Sequence, residues 1–168
     1  MTKQLILSAL VDNHSGVLQR VAGLFSRRGF NITSLSVCET EDINLSRMTI
    51  VSQAEPETFR QIEKQLLKLE DVRKVVCLDD NNSVSSELVL IKVSALNKDR
   101  PKVLTVVSMY GARIIDIGHT TITMELTGVS SRLDEFVEMM NEFGIVEMAR
   151  TGFTALNRGD ICIKDEMI

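Results

Sequence analysis

The run Gln4–Val11 (Leu5, Ile6, Leu7, Ala9, Leu10, Val11) is apolar almost throughout and carries no charge. It reads as a central strand covered on both faces. A short polar turn, Asp12-Asn13-His14-Ser15-Gly16, follows it and opens a helix over about Gly16–Arg28. On that helix Val17, Leu18, Val21, Leu24 and Phe25 recur at helical spacing. Arg27 and Arg28 fall in the last turn, where the helix dipole favours cations. Gly29 supplies the left-handed residue that closes the helix.

The remaining elements follow in a fixed order. Asn31–Thr40 and Leu45–Gln53 read as strands joined by the polar turn Glu41–Asn44, hence a hairpin. Pro56 starts a second helix whose inner stripe is Phe59, Ile62, Leu66 and Leu69. Asp71–Leu78 is a fourth strand. The order β-α-β-β-α-β is the ferredoxin-like split arrangement, with both helices on one face of the sheet and the other face available. A polar linker, Asp79–Ser83, precedes a second half on the same plan. It has strands at Glu87–Ala95, Ala112–Gly118, Thr120–Thr127 and Ile145–Thr151, and helices at Arg100–Tyr110 and Ser130–Phe143. On the first of these helices Val103, Leu104, Val107 and Met109–Tyr110 point to the core; on the second, Leu133, Phe136, Val137 and Met140 do. Val17-Leu18…Gly29 answers Val103-Leu104…Gly111, a degenerate internal repeat. The fold class expected is α+β, two tandem ferredoxin-like βαββαβ domains. Residues 1–79 form the first, and 84–168, with a turn-rich tail after Thr151 able to dock on a partner or fray, form the second.

Composition excludes several functions. Net charge is −4 and no basic stripe runs along a helix, which argues against nucleic-acid binding. No apolar run reaches the roughly 18 residues of a membrane span. The N-terminus lacks the layout of a signal peptide, so a cytoplasmic protein is expected. Cys38, Cys77 and Cys162 are far apart and read as free, buried or half-buried thiols rather than a metal or redox site. His14 and His119 both lie in turns, with no nucleophile or carboxylate at catalytic spacing. Glu39, Glu41 and Asp42 read as a solvated acidic turn, with a weak divalent site as the alternative. No catalytic or metal motif is present.

The candidate site is the turn before the first helix. Open amides after Gly16 and the helix dipole stabilise a small carboxylate by roughly 0.3–2 kcal/mol. Asn13 and Asn31, placed by this reading at the same end of adjacent segments, suit a zwitterion. Val17, Ile32 and Leu35 offer an aliphatic pocket. The alternative is that Asn13 caps the helix, Asn31 turns the chain and His14 is a solvent-exposed turn residue. The second half has Asn97-Lys98-Asp99-Arg100-Pro101 at the equivalent place, without the glycine.

Asn13-His14-Ser15-Gly16-Val17-Leu18, Gly29-Phe30-Asn31-Ile32-Thr33-Ser34-Leu35 and Leu45-Ser46-Arg47-Met48-Thr49-Ile50 resemble an ACT domain. With Gln61–Leu66, Ile114-Ile115-Asp116 and Ala149-Arg150-Thr151-Gly152, the chain resembles the small regulatory subunit of acetolactate synthase (acetohydroxyacid synthase) over nearly its whole length. The resemblance implies a non-catalytic subunit that dimerises through its ACT domains. It binds the catalytic large subunit, raises its activity, and confers feedback by valine or a related branched-chain amino acid held between two ACT domains. The effector positions implied are Asn13, Gly16 and Asn31, with His14, Ser15, Val17, Leu18 and Ile32 around them. Where the family often has an acidic residue this chain has Thr33, which bears on a detail of the surface or on the effector preference, not on the resemblance. Thiamine diphosphate, Mg2+ and FAD are expected in the large subunit and no cofactor in this chain. A stand-alone amino-acid sensor and a ligand-free assembly domain are the rival readings.

Overall fold

A computed structural model describes residues 3–79 and 82–164; residues 80–81 of the expected linker lie outside them. The elements are β1 (Lys3–Asp12), α1 (Val17–Arg27), β2 (Ile32–Glu39), β3 (Leu45–Ala54), α2 (Pro56–Leu66), β4 (Val72–Leu78), β5 (Ser83–Ser94), α3 (Arg100–Tyr110), β6 (Arg113–Ile117), β7 (Thr121–Gly128), α4 (Ser130–Asn141), β8 (Ile145–Arg150) and β9 (Thr154–Asn157). The fold is α+β with two βαββαβ repeats. One antiparallel sheet has the order β2-β3-β1-β4 and the other β6-β7-β5-β8, the same order with each label raised by one repeat. The repeat extends to the helix ends. Gly29 (φ +70°) and Gly111 (φ +64°) are left-handed. The next amide of each turns back to the helix, Phe30 N–H to Phe25 O at 3.0 Å and Ala112 N–H to Val107 O at 2.9 Å.

By contacts the chain divides into Met1–Val84 with Phe153–Ile168, and Ser85–Gly152. β5 therefore begins inside the first unit, within the stretch read as linker. In the first unit, Leu7, Ala9, Val11, Met48 and Ile50 face Val21, Leu24, Phe25, Phe59, Ile62 and Leu66 of the two helices. The opposite face carries Ile6, Leu10, Val51, Val76 and Leu78, buried against Ala155 and Ile163 with Phe153 at the margin. β1 is thus covered on both faces, as its apolar run requires. The second cover is the C-terminal segment, which belongs with the first unit rather than with the second domain expected over 84–168. Burying a Leu, Ile or Val side chain contributes roughly 1.5–3 kcal/mol, and this face offers that gain to whichever segment reaches it. Polar bonds fix the segment too. Ser36 Oγ donates to Phe153 O at 2.7 Å, and Arg158 N–H donates to Asn82 O at 2.8 Å.

The second unit packs Val89, Ile91, Val93, Ile122, Met124 and Leu126 under Val103, Val106, Val107, Leu133, Phe136 and Met140. Met109 is 73 % exposed and Leu104 38 %, which corrects their expected inward placement. The inner stripe of α3 is Val103, Val106, Val107 and Tyr110, spaced i, i+3, i+4, i+7, and this phase turns positions 104 and 109 outward. Tyr110 meets Phe136 with ring centroids 5.2 Å apart. The Arg-Thr-Gly stretch at the end of β8 fastens this unit. Arg150 binds buried Glu87 through Nε (3.0 Å) and Nη2 (2.6 Å) and Asp134 through Nη1 at 2.5 Å. Thr151 exchanges bonds with Leu88, N–H to Leu88 O at 3.0 Å and Leu88 N–H to Thr151 Oγ1 at 3.0 Å.

Candidate functional site

β1 delivers the chain to the turn, and Gly16 makes the turn possible. Its φ of +92° is the left-handed conformation that side chains rarely adopt. No side chain caps α1, and its first turn holds no acid. The first amide bonded within the helix is that of Arg20, to Gly16 O at 3.0 Å, so the amides of Val17–Gln19 lie at an uncapped, positive helix end. Asn13 therefore does not cap the helix. Its Nδ2 donates to Ile43 O at 2.8 Å and Glu39 Oε1 at 3.0 Å, and its Oδ1 accepts from Ser46 Oγ at 3.0 Å. The amide fastens the β1–α1 turn to the β2–β3 hairpin. The second unit makes the same tie with a different residue: Arg100 Nη2 donates to Gly118 O and His119 O, both at 2.9 Å.

Besides His14, charged groups that the sequence did not single out lie near Gly16. Arg20 lies one turn on, and its Nη1 would stand 3.3 Å from a Cβ at Gly16. Its Nε binds Asp71 Oδ2 at 2.5 Å, while His14 Nε2 lies 3.1 Å from Asp71 Oδ1. The Arg20 hydrogen bond holds the Asp71 carboxyl below its ordinary value, against the opposing effect of burial. Arg73 clasps Asp12 at 2.6 and 2.7 Å, which holds the Arg73 guanidinium above its ordinary value. Asp12, His14 and Asp71 could point one ligand atom each at an ion, but both carboxylates are already committed to arginines. The spacing of Arg20, four residues from Gly16, could have identified it; Asp71 has no local signal.

The other expected site residues scatter. Val17 is in the core at 2 % exposure and Leu18 is 45 % exposed, so Val17 can offer a ligand only its backbone. Ser15 is exposed, and its carbonyl contacts His14 Nδ1 at 3.1 Å. Ile32 and Leu35 pack against the helix-side core. Asn31 does not share an end of the sheet with Asn13, which corrects the sequence reading. β2 is not beside β1: β3 lies between them, antiparallel to both. β2 therefore runs parallel to β1, and its start lies level with Ser52, opposite the end where Asn13 meets Ser46. The eight residues of β2, at about 3.3 Å each, put roughly 25 Å between the two asparagines along the strand direction. Asn31 is exposed, and its carbonyl accepts from Ser52 Oγ at 2.7 Å. The cysteines are free and exposed rather than buried. In the acidic turn, Glu41 binds Lys164 at 2.7 Å and Asp42 binds Asn44 at 2.9 and 3.0 Å. No helix among the described residues is long and apolar enough to cross a membrane.

Known proteins match both repeats. Residues 7–74 match the model of the AHAS small subunit-like ACT domain, and residues 86–159 match that of the small subunit of acetolactate synthase. The acetolactate synthase small subunit of Mycobacterium bovis is 48 % identical over 153 residues, covering 91 % of each chain. The chain belongs to the acetolactate synthase small-subunit family. The isozyme 3 small subunit of Salmonella typhimurium is 44 % identical over 156 residues, 92 % of this chain and 96 % of that one. The crystal structure of the acetolactate synthase small subunit from Thermotoga maritima superposes with a TM-score of 0.88 at 38 % identity, covering 95 % of this chain and 99 % of that one. Within this family the uncapped turn at Gly16 belongs to the ACT domain, and the Arg150 fastener to the part matched by the small-subunit model.

Proposed function

We propose that this chain is a non-catalytic regulatory subunit that binds the acetolactate synthase large subunit in the cytoplasm, raises its activity and makes it sensitive to valine or a related branched-chain amino acid. Thiamine diphosphate, Mg2+ and FAD are assigned to the large subunit. The effector site is assigned to the Asn13–Leu18 turn of one copy and Asn31–Ile32 of a second.

One observation carries this reading: Asn13–Gly16 and Asn31 lie at opposite ends of one sheet, so a single chain cannot close both on one small ligand. β2 is an edge strand, and its outer side pairs with no other strand among the described residues. A two-fold antiparallel pairing of two β2 edges centred near Leu35–Ser36 sets Asn31 of a second copy opposite Thr40. That is next to Glu39, whose carboxylate holds Asn13. Two equal sites arise per dimer, each with open amides and the Arg20 side for the carboxylate and an amide from across the seam. Allosteric coupling of typically about 1–3 kcal/mol then follows if the ligand favours one arrangement of the pair.

The test is calorimetry and sedimentation of the full chain with valine, leucine, isoleucine and threonine, followed by reconstitution with a large subunit. A dimer that binds valine selectively is expected. Gly16→Asp should remove binding and feedback while leaving activation; Gly16→Asn, equally able to adopt positive φ but uncharged, should retain part of both. A monomer that binds valine, or valine-sensitive Gly16→Asp complexes, would overturn the site assignment.

A further inference from the structure

We propose that the cavity between the second face of the first sheet and the C-terminal segment is a binding site for a small monocarboxylate with an apolar body, its carboxylate held on Arg47. This site is distinct from the turn at Gly16 and does not depend on the effector reading.

The cavity measures about 520 Å³, within the roughly 300–1,000 Å³ of small-ligand pockets. Its floor departs from the apolar pattern around it. Strand register lines Ser36, Thr49, Ser8 and Val76 in one row across β2, β3, β1 and β4. Three hydroxyls thus stand where a covered sheet face would normally bury hydrocarbon, and Ser8 and Thr49 are each only 1 % exposed. Arg47 projects from the neighbouring row into the same cavity. Its guanidinium is half-buried, and Nη1 donates to Ser8 Oγ at 2.9 Å. Among the described residues no carboxylate lies within ion-pair distance of it, and Glu41 feels it only through space, although a guanidinium presents five donors in a fork matched to a carboxylate.

The acids that line the cavity make their hydrogen bonds to groups other than Arg47. Glu39 accepts from Asn13 at 3.0 Å, and Glu41 from Lys164 Nζ at 2.7 Å. The Lys164 hydrogen bond also holds the Glu41 carboxyl below its ordinary value. The two acids and the two cations, Arg47 and Lys164, leave the site near neutrality. A site so balanced takes one added negative charge more readily than the two of a phosphate dianion. Val76, Leu78, Leu156 and Ile163 supply the apolar wall. The roof is fixed on both sides, by Ser36 and Ser34 to Phe153 (2.7 and 3.2 Å) and by Lys164 to Glu41. The cavity between these fasteners is thus a feature of the folded unit.

The probe is isobutyrate, titrated into the isotopically labelled full chain, with isobutyramide and inorganic phosphate as controls. Saturable amide shifts at Ser8, Ser36, Thr49 and 154–163, slower hydrogen exchange over 154–163, and no such response to isobutyramide or phosphate are expected. Arg47→Gln should weaken isobutyrate binding by about tenfold or more. If Arg47→Gln fails to fold, Thr49→Val, an isosteric change that removes one hydroxyl, should weaken it by several-fold. The proposal is overturned by shifts confined to Gly16–Leu18 or absent, by isobutyramide binding as well as isobutyrate, by phosphate binding more tightly, or by unchanged affinity in a folded variant.

Discussion

Ser46 Oγ donates to Asn13 Oδ1 across 3.0 Å, and with the two bonds from Asn13 Nδ2 this occupies the asparagine side chain on its own hairpin. Asn13 thus sets the position of the Gly16 turn, whatever else approaches it. Asn13→Asp keeps the acceptor for Ser46 but turns both donors into a carboxylate facing Glu39 and Ile43 O. The variant should lose about 1–3 kcal/mol, read from urea unfolding, and its effector affinity should fall with the misplaced turn. Asn13→Asp with wild-type stability would mean that the bonds to Ile43 O and Glu39 do not hold the turn in solution.

The Arg20–Asp71 pair predicts a specific acid sensitivity. Asp71 is held below its unfolded value chiefly by the Arg20 hydrogen bond. A carboxyl so lowered contributes stability that is fully present above the unfolded pKa of about 4 and is lost as pH falls through the lower folded value. The urea midpoints of wild type and Asp71→Asn should therefore differ at neutral pH and converge below about pH 4. A difference that stays constant through the acid range would show that Asp71 does not titrate with folding.

Local patterns on the chain were enough for the order of the first eight strands and four helices, the closing glycines Gly29 and Gly111, and the stripes of α2 and α4, but not for β9 or for the phase of α3. Phe59, Ile62 and Leu66 in α2, and Leu133, Phe136 and Met140 in α4, could be read directly, because a 3.6-residue period is a local signal. The polar turn at Gly16 was legible for the same reason. The relation of Asn13 to Asn31 was not, because it depends on β3 inserting between β1 and β2, and adjacency in sequence carries no information about that order. The partners of Arg20 and Arg150, Asp71 and Glu87, were equally hidden, each lying more than fifty positions from its arginine. The C-terminal cover of the first sheet has only a few apolar residues among turn formers. Only the unsatisfied second face of β1 hinted that something must lie there.

Glu87 is buried at 4 % exposure, and its Oε2 accepts from both Nε and Nη2 of Arg150. Burial opposes the charge of that guanidinium, yet the bonds to Asp134 and Glu87 outweigh it and hold Arg150 above its ordinary value. Arg150→Met strands the Glu87 charge in the second unit and should cost about 3 kcal/mol, the lower end for a broken buried pair because Arg150 is partly exposed. Glu87→Gln combined with Arg150→Met should recover part of the loss. A double variant no better than Arg150→Met alone would mean that lost packing of the arginine stem, and not the stranded charge, carries the cost.

Ile163 is 3 % exposed and closes the second face of the first sheet beside Ile6, Leu10, Val51, Val76 and Leu78. Ile163→Ala removes three methyl or methylene groups from that layer and should cost about 2 kcal/mol, the low end for such truncations because the site borders a cavity and can relax. The loss should be local to one unit. Amide exchange should quicken in β1 and β4, whose second face is uncovered, and remain unchanged in β7 and β8 of the other unit. Equal acceleration in both sheets would mean that the two units unfold as one. No change in β1 would mean that the C-terminal segment does not hold this face in solution.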